Sequence, residues 1–294
     1  MRARRARGPR SAVAEPGWLI APAWLYHTVL LAAPLVIVVA YAFADREGFF
    51  TITFGLYTEN LERLWDPVYL RIYRDTFIAA GVGTVGCLLI GYPFAYWLGT
   101  RVHRHRTLLL LLVIVPFWTS ILIRTYAWAL LLRPRGPLYG VLHGLGLIDG
   151  PLNLLGSSRA VLIGLVYDYL PLMVFPLYVS IERLDRRVVE AARDLGGNRW
   201  SAFRRTTLPL TMPGLITGCL LVFIPMTGEY VVPTFLGGGK GRWFGPIVAD
   251  QFLEALNYPF GAAMSLVLVV ALLLVIAGYL KVMGSRAGEL EAVL

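Results

Sequence analysis

The sequence contains few charged residues, and this scarcity restricts the class of protein. Charged residues make up 15% of the 294 residues, whereas hydrophobic residues make up 57%. Such a composition excludes an ordinary soluble domain and is typical of a polytopic membrane protein, in which lipid replaces a large soluble core. The net charge of +9 does not indicate nucleic-acid binding, because the arginines cluster beside apolar stretches and no soluble domain is left to carry a recognition surface.

Histidine and cysteine are also scarce. The four histidines are His27, His103, His105 and His143. None of them has a partner at metal-ligand spacing, so the sequence predicts neither a metal site nor a membrane-embedded enzyme. The two cysteines, Cys87 and Cys219, fall within apolar stretches. There they are expected to be small buried side chains that say little about the redox compartment.

A nucleotide-binding loop is absent from the sequence. The glycines from Gly237 to Gly241 enclose Lys240, but they lack the G-x-x-x-x-G-K-[ST] spacing and a following Ser or Thr. This segment is interpreted as a flexible loop. The chain is therefore expected to bind no cofactor of its own.

Six apolar stretches are long enough to cross about 30 Å of hydrocarbon at about 1.5 Å per helical residue. They cover residues 24–43, 76–98, 107–132, 160–181, 210–236 and 261–280. All six are predicted to be helices, since lipid offers no water to unpaired backbone groups. The predicted fold class is therefore an all-α membrane protein with six transmembrane helices.

The distribution of arginines predicts the orientation in the membrane. Arginines are concentrated before the first span, in the short second loop and in the fourth loop, which carries seven of them between Arg183 and Arg205. The positive-inside rule places these segments and both termini in the cytoplasm. It places the loops at about 44–75, 133–159 and 237–260 outside.

The N-terminus loosely imitates a cleaved signal peptide, because arginines, an apolar run and Ala42-Phe43-Ala44 follow one another. The apolar run of about 20 residues exceeds the roughly 7–15 residues of a signal core, so it is predicted to remain as the first span. The domain organisation is then an arginine-rich cytoplasmic head at 1–15, a transmembrane domain at 16–283 and a cytoplasmic tail at 284–294.

The fourth loop contains the most informative segment of the chain. Asp185 can cap the start of a helix, and Gly196-Gly197 supplies the left-handed exit that ends it. Apolar residues recur at i, i+3, i+4 and i+7 on one small face, at Val188, Ala191, Ala192 and Leu195. Because the small alanine side chain lets the groove of a partner protein approach the backbone, the pattern predicts a helix that a cytoplasmic protein binds.

This segment resembles the EAA loop of ABC importer permeases, although Thr206 stands where that family usually has isoleucine or a similar residue. The resemblance implies a coupling loop at 182–209 that an ATPase subunit binds. The residues that match the pattern are Glu190, Ala191, Ala192, Gly196, Leu208 and Pro209. The alternative is an amphipathic helix that lies on anionic lipid, which the arginines at Arg186, Arg187, Arg193 and Arg199 would suit.

Further segments resemble the spermidine/putrescine branch of these permeases, and in particular the first of its two permease subunits. They occur between about residue 24 and residue 283, and include Pro116-Phe117-Trp118-Thr119-Ser120, Tyr169-Leu170-Pro171 and Gly228-Glu229-Tyr230-Val231-Val232-Pro233. The resemblance implies the type I ABC importer permease fold and ATP-driven import of a small organic cation, a polyamine in the first place, across the bacterial inner membrane. Related permeases for ferric iron, sulfate or amino-acid derivatives share parts of these segments, so those substrates stay open.

The resemblance also implies the partners of this chain. They would be a second homologous permease subunit, two ATPase subunits and a periplasmic substrate-binding protein. ATP and magnesium would be bound by the ATPase subunits, so this chain is expected to be a transport subunit and not an enzyme. An ion-coupled secondary transporter is the alternative from another class, although the EAA-like loop and six spans without a repeat argue against it.

Apart from His27, three ionisable side chains lie well inside the apolar spans: Arg124, Asp168 and Glu229. At about 1.5 Å per residue all three come out in the outer half of the bilayer, where they can meet. We expect Arg124 to pair with Glu229 and Asp168 to face the translocation path, since two carboxylates against one arginine leave negative charge for a passing cation. A static polar clamp or a contact with the partner permease is the alternative. The aromatic candidates for the same path are Trp118, Tyr126 and Tyr167.

Overall fold

The computed structural model describes residues 21–48, 51–102, 104–239 and 243–291. The predicted head at 1–15 lies outside the described residues. The α-helices in the described part are α1 (Ala21–Ala42), α2 (Glu59–Arg63), α3 (Pro67–Arg101), α4 (Arg106–Ile114), α5 (Ile121–Leu131), α6 (Pro137–Gly144), α7 (Ser158–Glu182), α8 (Arg186–Asp194), α9 (Arg199–Ala202), α10 (Leu208–Gly228), α11 (Val231–Leu236), α12 (Phe244–Leu253) and α13 (Tyr258–Glu291). A 3₁₀ turn at Val115–Trp118 follows α4, and a π-helix at Phe203–Thr207 joins α9 to α10.

Five helical segments in the described residues are long and apolar enough to cross a membrane. They are α1, α3, α7, α13 and the continuous run from α9 through the π-helix to α10. A sixth crossing is present if the bent pair α4 and α5 counts as one span. The prediction of an all-helical membrane fold is therefore confirmed at this level, while the cytoplasmic position of both termini stays a prediction.

The third predicted span, residues 107–132, is not one straight helix. The segment Arg106–Trp118 and helix α5 meet at an angle of 91°. Pro116 lies in the 3₁₀ turn before the bend, where its missing N–H and its ring prevent the α-helix from continuing. Thr119 Oγ1 donates to the carbonyl oxygen of Pro116 at 2.7 Å. The third predicted crossing is thus a bent pair of helices, and the other five are long helical segments.

A small antiparallel hairpin after α1 is an exception to the all-α prediction. Strand β1 (Asp45–Glu47) pairs with β2 (Thr51–Thr53), with Arg46 opposite Ile52. The Arg46 guanidinium donates from Nη1 to the carbonyl oxygen of Ala255 at 2.9 Å. This hydrogen bond connects the first loop predicted to be external with the last one.

Helices α3, α7 and α10 form the centre of the bundle, and α1 packs against α13 beside them. Small residues allow the central helices to approach closely. A Cβ added to Gly91 would lie 3.1 Å from Met173 Cγ, and one added to Gly218 would lie 2.9 Å from Met173 Sδ. Close van der Waals packing of this kind holds helices together in lipid, where apolar side chains gain little by leaving the surrounding hydrocarbon.

Two predicted spans differ from the observed helices at their ends. The fifth, residues 210–236, is divided at Glu229, where α10 ends and α11 follows. The sixth, residues 261–280, lies inside the longer helix α13, which also contains the beginning of the predicted tail at residue 284. Hydropathy located both segments correctly but did not reveal where the backbone changes direction.

Candidate functional site

Helix α8 of the predicted coupling loop has both of its predicted ends. Asp185 is its N-cap, and the carboxylate Oδ1 accepts from the backbone N–H of Arg187 at 2.9 Å. Gly196 has a φ of 87°, the left-handed conformation that glycine adopts without a Cβ penalty. At Gly197 an added Cβ would lie 2.6 Å from the carbonyl oxygen of Ala192. The two glycines therefore end the helix for different reasons, one by backbone conformation and one by close approach.

The apolar face of α8 is mostly uncovered in this chain. Val188 is 45% exposed and Leu195 is 89% exposed. Glu190 and Ala191 are exposed as well, whereas Ala192 is half-buried. A helix this short depends on packing for its stability. An exposed apolar face on such a helix is a candidate docking surface for a partner protein.

A second set of contacts connects the coupling loop with the transmembrane bundle. Asn198 caps α9 by accepting from the N–H of Ser201 at 2.7 Å, and the chain then enters the π-helix. The ring of Phe203 lies 5.7 Å from that of Tyr92 and 6.0 Å from that of Tyr96, measured between centroids. Both tyrosines belong to α3. The loop is therefore bound to α3 as well as to α10, which it enters at Leu208 and Pro209.

Hydrogen bonds support the same junction from inside. The hydroxyl groups of Tyr92 and Thr211 are 2.9 Å apart, and Thr211 Oγ1 also donates to the carbonyl oxygen of Thr207 at 2.9 Å. That carbonyl lies at the end of the π-helix, a geometry that leaves irregular backbone hydrogen bonding and is frequent at functional sites. The sequence predicted Leu208 and Pro209 for this junction but not the tyrosines.

The charged residues of the spans meet, but not in the predicted pairs. Arg124 Nε lies 3.4 Å from Asp168 Oδ1, and the two side chains are only 10% and 4% exposed. Neither of these atoms has a hydrogen-bond partner among the described residues. The prediction that Arg124 pairs with Glu229 is therefore wrong. The arginine also lies beside the ring of Phe117, at 5.7 Å from its centroid.

Glu229 lies at the break between α10 and α11, and its carboxylate accepts hydrogen bonds from α11 and from α7. Its Oε1 accepts from the backbone N–H of Val231 at 2.9 Å, which caps the start of α11. Its Oε2 accepts from the hydroxyl of Tyr169 at 2.6 Å. Glu229 is half-buried and has no salt bridge to a cation within the described part of the chain. Because Arg124 pairs with Asp168, Glu229 is the one of these three charged residues that has no partner of opposite charge in the described part of the chain.

The aromatic candidates do not form one cluster with these charges. Tyr126 packs on Phe235 with ring centroids 4.9 Å apart, and Tyr167 packs on Trp128 at 5.4 Å. Trp118 is 73% exposed at the bend of the third span. Their role in a translocation path stays a prediction. Tyr169, which belongs to the same Tyr-Leu-Pro motif as Pro171, contacts the charged cluster through Glu229, and Phe117 contacts it through Arg124.

Metal and thiol chemistry do not add to the site. Among the described residues no three His, Cys, Asp or Glu side chains are grouped so that they could hold a metal ion. Cys87 is buried and Cys219 is half-buried, and both are free thiols. The candidate site thus consists of an exposed coupling helix, its junction with α3 and α10, and a charged cluster between α5, α7 and α10.

The described part of the chain combines helices long and apolar enough to cross a membrane with an exposed, charged loop between two of them, as expected of a polytopic membrane protein. The family model described as "Binding-protein-dependent transport system inner membrane component" matches residues 88–284. The chain belongs to this family.

Two relatives resemble the chain over nearly its whole length. The spermidine/putrescine transport system permease protein PotB of Haemophilus influenzae is 42% identical over 270 residues, which are 91% of this chain and 94% of the relative. The protein of the same name from Escherichia coli is 43% identical over 256 residues, 87% of this chain and 92% of the relative.

A solved structure has the same fold. It is the crystal structure of a bacterial alginate ABC transporter in complex with an alginate pentasaccharide-bound periplasmic protein. The match has a TM-score of 0.67 at 16% sequence identity and covers 89% of this chain and 92% of the other. The similarity supports the permease fold independently of the sequence relatives.

Proposed function

We propose that this chain is a permease subunit of an ATP-driven ABC importer that moves spermidine and putrescine from the periplasm to the cytoplasm. The observation that carries the proposal is the match of 42–43% identity with two polyamine permeases, over about nine-tenths of both chains. The location that follows is the bacterial inner membrane, with several crossings and both termini in the cytoplasm.

The partners in this proposal are a second homologous permease, two ATPase subunits and a periplasmic binding protein. The exposed apolar face of α8 suits an ATPase groove, because Val188 and Leu195 are uncovered in this chain alone. The alginate transporter was crystallised with a periplasmic protein, which supports a similar partner here. ATP and magnesium would be held by the ATPase subunits.

Coupling in this proposal depends on the junction around Phe203. When the ATPase subunits close, α8 moves with them, and the displacement passes through the π-helix to α10 and through the rings of Tyr92 and Tyr96 to α3. Such rigid-body motion opens a bundle when its packed interfaces have two discrete arrangements. The backbone of the π-helix can accommodate a shift of one residue in the hydrogen-bonding register between α9 and α10.

The charged cluster gives the cation a partner in this proposal. Arg124 and Asp168 neutralise each other, so the surplus charge lies on the half-buried Glu229. Its two hydrogen bonds leave acceptor capacity, since an ionised carboxylate has about four lone-pair sites. The predicted role of Asp168 as the residue that faces the path is thereby transferred to Glu229, with Asp168 as its buried neighbour.

Uptake of labelled spermidine by proteoliposomes tests the proposal. The vesicles contain the chain with its co-expressed subunits, and binding protein is added outside. We expect uptake that requires internal ATP and continues after a protonophore removes ion gradients. Uptake that stops with the protonophore while ATP persists would identify a secondary transporter. If the vesicles transport sulfate, ferric iron or an amino-acid derivative in place of spermidine, the assignment as an ATP-driven importer would stand, but the assignment of the substrate would change.

A further inference from the structure

A cavity of about 480 Å³ lies on the inner side of the coupling loop, between the loop and the end of α3. Its size falls within the range of about 300–1,000 Å³ that is usual for small-molecule sites. Three arginines line it: Arg101 from the last turn of α3, Arg193 from α8 and Arg199 from the first turn of α9. Helix α8 contributes Val189 and Arg193 to the lining, whereas Val188 and Leu195 of its exposed apolar face do not line the cavity.

The charge inside this cavity is unbalanced. None of its lining residues is acidic. Among the described residues, none of the three guanidinium groups forms a salt bridge. Another arginine close by, Arg106, is paired, with Nη1 2.5 Å from Glu182 Oε1. The three arginines are solvent-exposed, so water and salt weaken their mutual repulsion, but their combined positive charge still favours an anion between them.

A buried hydroxyl group adds a second, independent observation. Thr207 lines the cavity, is 1% exposed, and its Oγ1 has no hydrogen-bond partner among the described residues. Buried polar atoms are nearly always hydrogen-bonded, so an unpaired hydroxyl marks a missing partner. The three arginines are exposed, so an anion with several acceptor oxygens would accept from their guanidinium groups.

The position of the cavity indicates the source of the anion. Arg101 is the last residue of α3, and Thr207 immediately precedes α10, so the cavity lies near the ends of two segments that are long and apolar enough to cross a membrane. Trp200 stacks on Phe203 beside it and is 68% exposed, as is typical of tryptophan at a membrane interface. We propose that this cavity binds the phosphate group of an anionic phospholipid, from the leaflet that the arginine pattern predicts to be cytoplasmic.

Basic pockets between helices on this side of a membrane suit lipid phosphates, because juxtamembrane arginines attract anionic headgroups. In this arrangement the coupling loop binds a partner on each of two sides. Its exposed face takes the ATPase, and its inner cavity takes a lipid that bridges α3, α8 and α9 through their arginines. Anionic lipid would thereby hold the loop in the position from which it couples.

Lipid binding to the purified full-length chain, with whatever subunits copurify, tests this assignment. Native mass spectrometry measures the binding of short-chain phosphatidylglycerol, with phosphatidylcholine as the neutral lipid and inorganic phosphate as a competitor. The cavity variant is Arg101→Gln with Arg199→Gln. The matched control is Arg204→Gln with Arg205→Gln, which removes the same charge from two exposed residues that do not line the cavity.

We expect the cavity variant to bind phosphatidylglycerol roughly tenfold more weakly, since two charge-assisted contacts are lost, and the control variant to bind it as the original chain does. Inorganic phosphate at equal concentration should not displace the lipid. If the double variant does not fold, Arg199→Gln alone should still weaken binding severalfold.

Four results would overturn the proposal. They are unchanged lipid binding in the cavity variant, an equal loss in the control, equally tight phosphatidylcholine binding, and displacement of lipid by inorganic phosphate at equal concentration. Loss of the ATPase subunit from the cavity variant while lipid binding persists would assign the arginines to acidic groups of the partner and would also overturn it.

Discussion

Arg124 on α5 and Asp168 on α7 form a buried ion pair, with Nε and Oδ1 3.4 Å apart. The pair joins the second half of the bent third span to the central helix of the bundle. Its partners are almost completely buried, so each neutralises a charge that the apolar surroundings would otherwise disfavour. The pair therefore connects the bent segment to α7, in addition to the packing of Tyr126 on Phe235 of α11. Any change of charge at either residue would leave the other buried and unpaired.

The first prediction concerns this pair. Asp168→Asn should lower the thermal unfolding midpoint and the yield of assembled transporter, because removing one partner of a buried pair costs about 3–5 kcal/mol. Arg124→Gln combined with Asp168→Asn removes both charges and should recover most of the loss. A double variant as unstable as the sum of the two single variants would show that the residues act independently.

The second prediction separates Glu229 from that pair. Glu229→Gln keeps an amide oxygen that can accept from the Val231 N–H, and its NH2 group can donate to the Tyr169 hydroxyl oxygen, while the negative charge is removed. Assembly should be normal, and spermidine uptake should fall severalfold because the cation loses its carboxylate partner. Glu254→Gln, which changes an exposed residue in the last loop predicted to be external, is the control for general charge effects. Equal uptake by both variants would remove Glu229 from the translocation path.

The third prediction concerns the end of the coupling helix. Gly196 has open space around it, since no atom lies within 4 Å of an added Cβ, so only its backbone conformation opposes substitution. Gly196→Val should weaken retention of the ATPase subunit, while Gly196→Asn, which tolerates a left-handed conformation better, should be milder. Co-purification from detergent measures the difference. Glu190→Lys should also reduce retention, because it reverses an exposed charge on the same helix.

Sequence predicted the parts of this molecule that depend on local chemistry. The Asp185 cap, the Gly196 exit and the apolar character of each crossing follow from single residues and their spacing. The 91° bend and the division at Glu229 were not predicted, because a hydropathy window records how apolar a segment is and not its direction. A Pro-Phe-Trp-Thr-Ser run was the available signal for the bend.

The partner of Arg124 could not be predicted for a related reason. The rise of about 1.5 Å per helical residue predicts that Arg124, Asp168 and Glu229 lie at a similar depth in the bilayer. Which carboxylate meets the arginine depends on the rotation of each helix and on its neighbours, and these are set by packing such as that of Met173 against Gly91 and Gly218. The Phe203 junction likewise depends on tyrosines that are distant in sequence.

The fourth prediction is topological and tests the arginine rule. In a background with Cys87 and Cys219 replaced by alanine, Gly150→Cys and Glu254→Cys should react with an impermeant thiol reagent added outside intact cells. Asp194→Cys, exposed in the coupling loop, should react only after the membrane is opened. Labelling of position 194 from outside would reverse the predicted orientation and would place the coupling loop away from any cytoplasmic ATPase.

The fifth prediction concerns the transmission of motion from the loop to the bundle. Phe203→Leu keeps an apolar side chain but removes the ring contacts with Tyr92, Tyr96 and Trp200. The ATPase subunit should still co-purify, because the exposed face of α8 is unchanged. Stimulation of ATP hydrolysis by the loaded binding protein should fall severalfold, since displacement of α8 no longer reaches α3 through packed rings.

The control for this variant is Phe252→Leu. Phe252 packs on Tyr258 in the last loop predicted to be external, far along the chain from the coupling segment. It should leave stimulation close to that of the original chain. Loss of the ATPase subunit from Phe203→Leu would assign the residue to docking, and full stimulation would mean that the movement reaches the bundle through α10 alone.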